Sequence, residues 1–462
     1  MAVYQSEQSQ SLETRPVGRL LWEFAAPSIV AMSASSIYNI CDSIFIGHHS
    51  GPMAIAGMAI TFPLMNILTA FCIIASVGGS VLTSIHMGRK ERREVHHIVG
   101  NVLLLNAIFA SVLSLLGLLF LDPILQAFGA SAATLPYARQ YMRVILLGVI
   151  ITHVLQSLLG QLRSTGFPRA AMRVQLISVG LNILFDVLFI FGFDWGIQGA
   201  AVATVLAQAC ALGIILPRFF NPRSYVFFSR SLLCFRWRYV RDILSIGISP
   251  FLSNVSGFVI VMVVNLTLVR YGGDLYVGAY GITNRITQLL IMMVSGFSQG
   301  LQPIVGYNLG AQRYDRVRGA LRQALLIATC ITTVGYAVIA IFPHALASLF
   351  TADEAMLQVC VPALRIALFT FPVVGSQLIA VTFFQSVHEA KLSVFITLSR
   401  QLLCLLPLLL WLPTRIGAQG VWWSMSLSDV YSVVVSWYLL WQVSRRLQSL
   451  SAQGQRTTPG SH

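Results

Sequence analysis

Pro27-Ser-Ile-Val-Ala-Met-Ser-Ala-Ser-Ser-Ile-Tyr-Asn-Ile-Cys-Asp42 is the stretch that decides the fold, because its frame occurs twice. The spacing from Pro27 to Asp42 returns between Pro250 and Asn265 in the seventh apolar run. Two further echoes follow at the same offset, 221–223 residues. The loop Met87-Gly-Arg-Lys-Glu-Arg-Arg-Glu-Val95 returns as Leu309-Gly-Ala-Gln-Arg-Tyr-Asp-Arg-Val317. Gly196-Ile-Gln-Gly-Ala200 returns as Gly417-Ala-Gln-Gly-Val421. A fixed long period is the mark of a duplicated structural unit.

The residues between these marks say what the unit is made of. The chain of 462 residues is 56% hydrophobic and 10% charged, with mean hydropathy +0.76. So few charges could not cover a soluble surface of this size. About 20 apolar residues cross the hydrocarbon core as a helix. Twelve runs qualify: 20–47, 54–86, 96–121, 138–162, 170–192, 197–217, 242–270, 275–307, 317–343, 355–386, 391–413 and 418–443. The fold class is therefore all-α and polytopic: twelve transmembrane helices in two six-helix pseudo-symmetric halves around a central cavity. The division reads as an N-terminal segment 1–19, a first half 20–217, a basic linker 218–241, a second half 242–445 and a tail 446–462.

Charge sets the orientation. Formal net charge is +14, yet the basic residues punctuate the apolar runs and form no single face, which argues against nucleic acid. Arg89, Lys90, Arg92 and Arg93 cluster after the second run, and Arg163, Arg169 and Arg173 after the fourth. Arg218, Arg223, Arg230, Arg236, Arg238 and Arg241 follow the sixth, and Arg313, Arg316, Arg318 and Arg322 the eighth. Lys391 and Arg400 are read as flanking the turn before the eleventh. These loops are cytoplasmic by the positive-inside rule, so both termini are inside. Six spans per half put both halves in the same way round, related by an axis along the membrane normal, which is a transporter plan. No leader peptide is expected from residues 1–19, and the tail from Ser449 is expected to be disordered. Seven scattered cysteines are read as reduced packing residues.

Acids within the runs carry the functional signal, since a carboxylate in a membrane helix normally faces a cavity or a partner. Asp42, Asp186 and Asp429 are the deep ones. Counting residues from the outer ends brings Asp42, Asp186 and Thr204 to one level, with Asn182 and Gln208 a turn further in. Asn39 lies nearly a turn below Asp42. Such a cluster can hold a proton, or a hard cation on oxygen ligands; simple mutual hydrogen bonding is the alternative. Asp429 is read as a hydrogen-bonded packing residue, and His388, Glu389 and Lys391 as cytoplasmic anchors. A second-half cavity lined by Asn265, Gln288, Met262 and Met292 is a weaker expectation, since Met surfaces re-pack around varied ligands.

These residues resemble the multidrug and toxic compound extrusion (MATE) family over residues 15–445. The resemblance rests on Tyr38-Asn39 with Asp42, Asn182-Ile-Leu-Phe-Asp186, Gly196-Ile-Gln-Gly-Ala-Ala-Val-Ala-Thr204, Pro27, Gln302-Pro303 and the two halves. It implies an efflux antiporter of the DinF-like and MepA-like kind, coupled to H⁺ or Na⁺ at Asp42, Asp186, Asn182 and Thr204, with Tyr38, Asn39 and Gln208 in support. If Na⁺ is the ion, the same four residues are its ligands. Unlike NorM-like members, the chain has Asn265 where Asp42 has its mirror, and no acid in the middle of the seventh run. Its expected partners are amphiphilic small molecules, the coupling cation and the bilayer of a bacterial inner membrane, and it is expected to be a monomer. No cofactor is expected beyond the transported ion. Absence of Walker, HExxH and nucleophile patterns argues against an enzyme. A flippase for a lipid-linked precursor is the alternative, disfavoured by the scarcity of deep Arg or Lys. A channel or passive scaffold is the third reading.

Overall fold

The computed structural model describes residues 12–221 and 235–456. The expectations for residues 1–11, for Arg223, Arg230 and Cys234 in the linker and for residues 457–462 lie outside the described residues.

Seventeen segments follow one another, all helical among the described residues. The first half holds α1 (Val17–Gly88), α2 (Arg92–Leu119), short α3 (Leu121–Ala127), α4 (Leu135–Ser164), α5 (Pro168–Asp186), a π-helical turn (Val187–Gly192) and α6 (Gly196–Phe220). The second half holds α7 (Trp237–Gly310), α8 (Tyr314–Ile341), short α9 (Pro343–Ser348), α10 (Glu354–Ala367), α11 (Phe371–Ser386) and α12 (Ala390–Leu398). A second π-helical segment (Ser399–Leu405), α13 (Leu406–Trp411), α14 (Pro413–Ile416) and α15 (Gln419–Arg456) complete it.

α1 and α7 each contain two spans. A straight helix of 72 residues would be about 108 Å long, more than twice a bilayer. Gly51 (φ 75°, ψ −176°) interrupts α1 and Gly273 (φ 71°, ψ −170°) interrupts α7. Glycine takes this backbone without the steric penalty other residues carry. The chain folds back there: a Cβ on Gly47 would come within 2.8 Å of Ile55 Cδ1, although eight residues of continuous helix span about 12 Å. Pro52, directly after the turn, suits a helix start because its missing N–H has no partner to lose. Eight described helices are individually long and apolar enough to cross a membrane, and α10 with α11, bent by 55°, form a broken ninth. Two crossings each for α1 and α7, together with α15, bring the spans to twelve.

Backbone geometry repeats along with the sequence. Left-handed residues pair as Gly51 with Gly273, Lys90 with Gln312, Gly166 with His388 and Gly196 with Gly417. Lys90, Gly166, Gln312 and His388 end helices with the same two hydrogen bonds, as Lys90 N–H to Met87 O and Glu91 N–H to His86 O illustrate. This double closure satisfies the last carbonyls of a helix. It explains why the loops after the second and eighth spans look alike despite sharing few residues.

The chain forms two compact units. Of the described residues, one takes 12–15 and those within Ala26–Phe251; the other takes Pro16–Ala25 and those from Leu252 onward. The first stretch of α1 thus groups with the second unit and the first stretch of α7 with the first. These changes of allegiance fall within two residues of Pro27 and Pro250. Within the first unit α7 packs closely on the second arm of α1. A Cβ on Gly247 would lie 1.8 Å from Ile74 O, and one on Gly78 2.1 Å from Ile243 O. The first unit's core joins Ile46, Met58, Met142, Leu146, Ile190 and Ala200. In the second, Val264, Leu268, Leu405, Val421 and Trp422 pack together. Large apolar side chains such as Leu119, Leu147, Val334 and Leu403 are exposed, as a lipid-facing surface requires.

Two expectations change. The helix runs on through Ser449 to Arg456, so the disordered tail does not begin at Ser449. Arg400 flanks no turn. It lies ten residues beyond Ala390, inside the eleventh span, and is ion-paired with Asp429.

Candidate functional site

In the first unit, helices α1, α4, α5 and α6 bring their polar residues to one place. Asp186 is the last residue of α5 and wholly buried, and Asp42 of α1 is 3% exposed. The two carboxyl groups lie close enough to interact, with Tyr38 and Tyr141 near both. No donor among the described residues satisfies Asp42 Oδ1 or either Asp186 oxygen. Two ionised carboxylates so arranged repel in a low dielectric, and a shared proton or a bound cation removes the conflict.

Asn182, one turn before Asp186 on the same face, is buried. Its Nδ2 donates to Thr204 Oγ1 at 3.3 Å, and that hydroxyl donates to Ala200 O at 3.1 Å. Asn182 Oδ1 has no donor among the described residues. Asn182, Thr204 and Tyr38 also line a cavity of about 150 Å³, together with Ser35, Gln175 and Gln208. That volume admits water or a small ion but is short of the ~300–1,000 Å³ of a drug-sized pocket. Gln208 accepts a short hydrogen bond from Thr152 Oγ1, and Gln175 Nε2 donates to Ser35 Oγ at 3.1 Å. At the Gly51 end, His49 Nε2 lies 2.7 Å from Asp194 Oδ1, and the imidazole packs edge-on against Phe191. This ties the turn of α1 to the α5–α6 connection above the acids.

The structure therefore gathers Asp42, Asp186, Asn182, Thr204, Tyr38 and Gln208. It does not bring Asn39 in: that side chain is exposed, and its Nδ2 donates to Ser35 O at 2.7 Å on its own helix. Neighbours absent from the sequence reading are Tyr141, Thr152 and Gln175. A single Tyr or Thr in an apolar run carries no depth signal until the helix rotation is known. In the second half, Asn265 is half-buried on the first arm of α7, Met262 is 56% exposed, and Gln288 and Met292 sit on the second arm. None of these four lines the cavity just described. The six described cysteines are all free.

A duplicated twelve-helix bundle with paired acids buried in one half belongs to the class of secondary membrane transporters. The MatE family model matches residues 27–188 and again 249–411, and the chain belongs to this family of transporters; it is not an enzyme. Multidrug export protein MepA of Staphylococcus haemolyticus is 25% identical over 96% of this chain and 97% of its own length. MepA of Staphylococcus aureus (strain NCTC 8325 / PS 47) is 24% identical over 96% and 97%. Among solved structures, an outward-facing multidrug resistance MATE transporter of the MOP superfamily is 25% identical with TM-score 0.87, covering 95% of this chain and 98% of that one. A MATE protein in a bent conformation superposes with TM-score 0.90 at 24% identity over 96% and 99%.

Proposed function

We propose that the protein is a multidrug efflux antiporter of a bacterial inner membrane, with both termini cytoplasmic. It exports amphiphilic, often cationic compounds in exchange for H⁺ or Na⁺ and works as a monomer. Support for drug export comes from the MepA relatives, which are multidrug export proteins. The observation that supports the coupling role is the closeness of buried Asp42 and Asp186, with three carboxyl oxygens that no donor among the described residues satisfies.

Coupling then follows from electrostatics. A proton lets one carboxyl donate to the other. A Na⁺ would instead be held by Asp42, Asp186, Asn182 Oδ1 and Thr204 Oγ1, all oxygens suited to a hard cation. Either occupant draws α1 toward α5 and stabilises the arrangement in which drug is released. Departure of the ion leaves two like charges face to face and favours the other arrangement. An ion can shift this equilibrium only by its difference in affinity for the two states. Pro27 in α1 lacks an N–H for the helix ladder and marks where the helix can bend.

Asp42→Asn, and separately Asp186→Asn, should each abolish resistance of host cells to ethidium while the protein still reaches the membrane in normal amount. Full resistance in either variant would remove that residue from the coupling role.

A further inference from the structure

Two layers of side chains lie between the buried acids and the Gly51 end of the first unit. Asp42, Phe45 and His49 follow one another at i, i+3 and i+7, so they share a face of α1. Each has a counterpart across from it. Asp42 lies beside Asp186. The Phe45 ring packs edge-on against Phe191, with centroids 5.9 Å apart. His49 Nε2 lies 2.7 Å from Asp194 Oδ1, and its ring packs edge-on against the same Phe191 at 5.6 Å. The order from inside to outside is therefore acids, aromatic rings, then an imidazole–carboxylate pair. His49 is seven residues beyond Asp42, about 10 Å along the helix.

The local backbone builds these layers. The π-helical turn Val187–Gly192 follows Asp186 directly. Its i→i+5 hydrogen bonding brings Phe191 back over Asp186; five residues of α-helix would turn it about 140° away. Asp194 takes a left-handed backbone, φ 60°, which Asp and Asn accept more readily than most residues. Around it Phe189 stacks on both Phe193 and Trp195, so the connection is braced by its own rings. A Cβ on Gly196 would come within 2.7 Å of Ser50 Oγ, so α6 begins hard against the turn of α1. Asp42 and Asp186 keep 3% and 0% of their surface. The His49 and Asp194 side chains keep 21% and 85%, so solvent reaches the pair while the acids stay dry.

We propose that His49 and Asp194, with Phe45 and Phe191, form the outer gate of the ion site, and that protonation of His49 latches it. The rings keep water from the acids, and the pair holds the rings together. An ion that reaches Asp42 and Asp186 from this end must part both layers. Imidazole is the side chain that gains its charge between pH 8 and pH 5. Neutral, it gives Asp194 a plain hydrogen bond; charged, it gives one about twice as strong. Asp194 is the charged group that faces His49. His48 beside it turns back to Ile44 O at 3.0 Å, α6 presents Gly196, and Arg139 of α4 is committed to Asp122 of α3 by two hydrogen bonds of 2.7 and 2.6 Å. Acid on this side thus loads the site and shuts its gate, and a loaded ion is kept from leaving the way it came. The pair is exposed, so it changes gate opening a few-fold and does not lock it. This deepens the export reading and rests on it, both for the orientation that puts the Gly51 end outside and for the coupling role of the acids.

The test is labelling of Asp42 and Asp186 by a water-soluble carbodiimide with glycine methyl ester, added outside to right-side-out membrane vesicles that hold the full chain, and read by mass spectrometry. Labelling needs an open gate and no transport. The pH dependence of the reagent cancels in the ratio of variant to wild-type rate. For Asp194→Asn that ratio should be about one near pH 8 and about two- to fivefold near pH 6. Asn also accepts the left-handed backbone, so this variant keeps the fold. His49→Gln should give the same ratios, and the double variant no more than either single one, because all three remove one interaction. Phe45→Ala should label faster than wild type at both pH values. A ratio that is the same at both pH values overturns the latch, as does a double variant whose effect is the product of the two single ones. Labelling of Phe45→Ala at the wild-type rate overturns the gate. Ion-driven efflux by Asp42→Asn would defeat the coupling reading and leave these rates as they are, so the two ideas fail separately.

Discussion

Asp42 is costly where it stands, and its surroundings explain how the cost is met. It faces Asp186, two tyrosines border the pair, and Asn182 and Thr204 continue the polar lining one turn away. Thr204 is the most informative single atom to remove. Thr204→Val keeps the shape but leaves Asn182 Nδ2 without its acceptor, a loss of about 1–3 kcal/mol for a buried polar group. We expect the apparent affinity for the coupling ion to fall about tenfold, read from the dependence of ethidium efflux rate on pH or Na⁺ concentration. An unchanged ion dependence would place Thr204 outside the site. The acids, Asn182 and Thr204 were legible from sequence because depth can be counted along a helix from its end. Helix rotation cannot be counted in that way. Asn39 therefore counted toward the site, whereas its side chain turns to its own helix, and Tyr141 went unseen.

Among the elements, the helix hairpins of α1 and α7 were legible as pairs of apolar runs, and Gly51 and Gly273 are their turning points. The interlock of α7 with α1 was not, because Gly78 and Gly247 look like ordinary membrane glycines in a string of letters. Backbone carbonyls occupy the space their side chains would need. Gly247→Val must push two helices apart and should cost about 1–3 kcal/mol or more. A drop in the thermal midpoint of the purified protein would show this, and an unchanged midpoint would contradict the interlock. The eleventh span hid its character for a different reason. Arg400 follows Lys391 closely enough to read as one more flanking charge. The π-helical segment that carries it has no sequence signature, and its partner Asp429 is 29 residues away.

For the whole molecule, the repeat carried the architecture, and departures from the repeat carry the chemistry. Both halves share spans, turns and helix ends, down to the same left-handed residues. The first keeps Asp42 and Asp186 together, while the second has Asn265 opposite Asp42 and a salt bridge opposite Gln208. Sequence could show the acids of the first half and Asn265 opposite Asp42, but not the salt bridge. It could not show that the first nine residues of α1 and the opening of α7 group with the other unit, since such allegiance is set by packing and leaves no pattern along the chain. The central claim is that the first half alone couples the ion. Its most direct test is ethidium efflux from vesicles under an imposed pH or Na⁺ gradient, wild type against Asp42→Asn. The account predicts that one of the two gradients drives export by wild type and that neither drives export by the variant. Gradient-driven export by Asp42→Asn at the wild-type rate would contradict it.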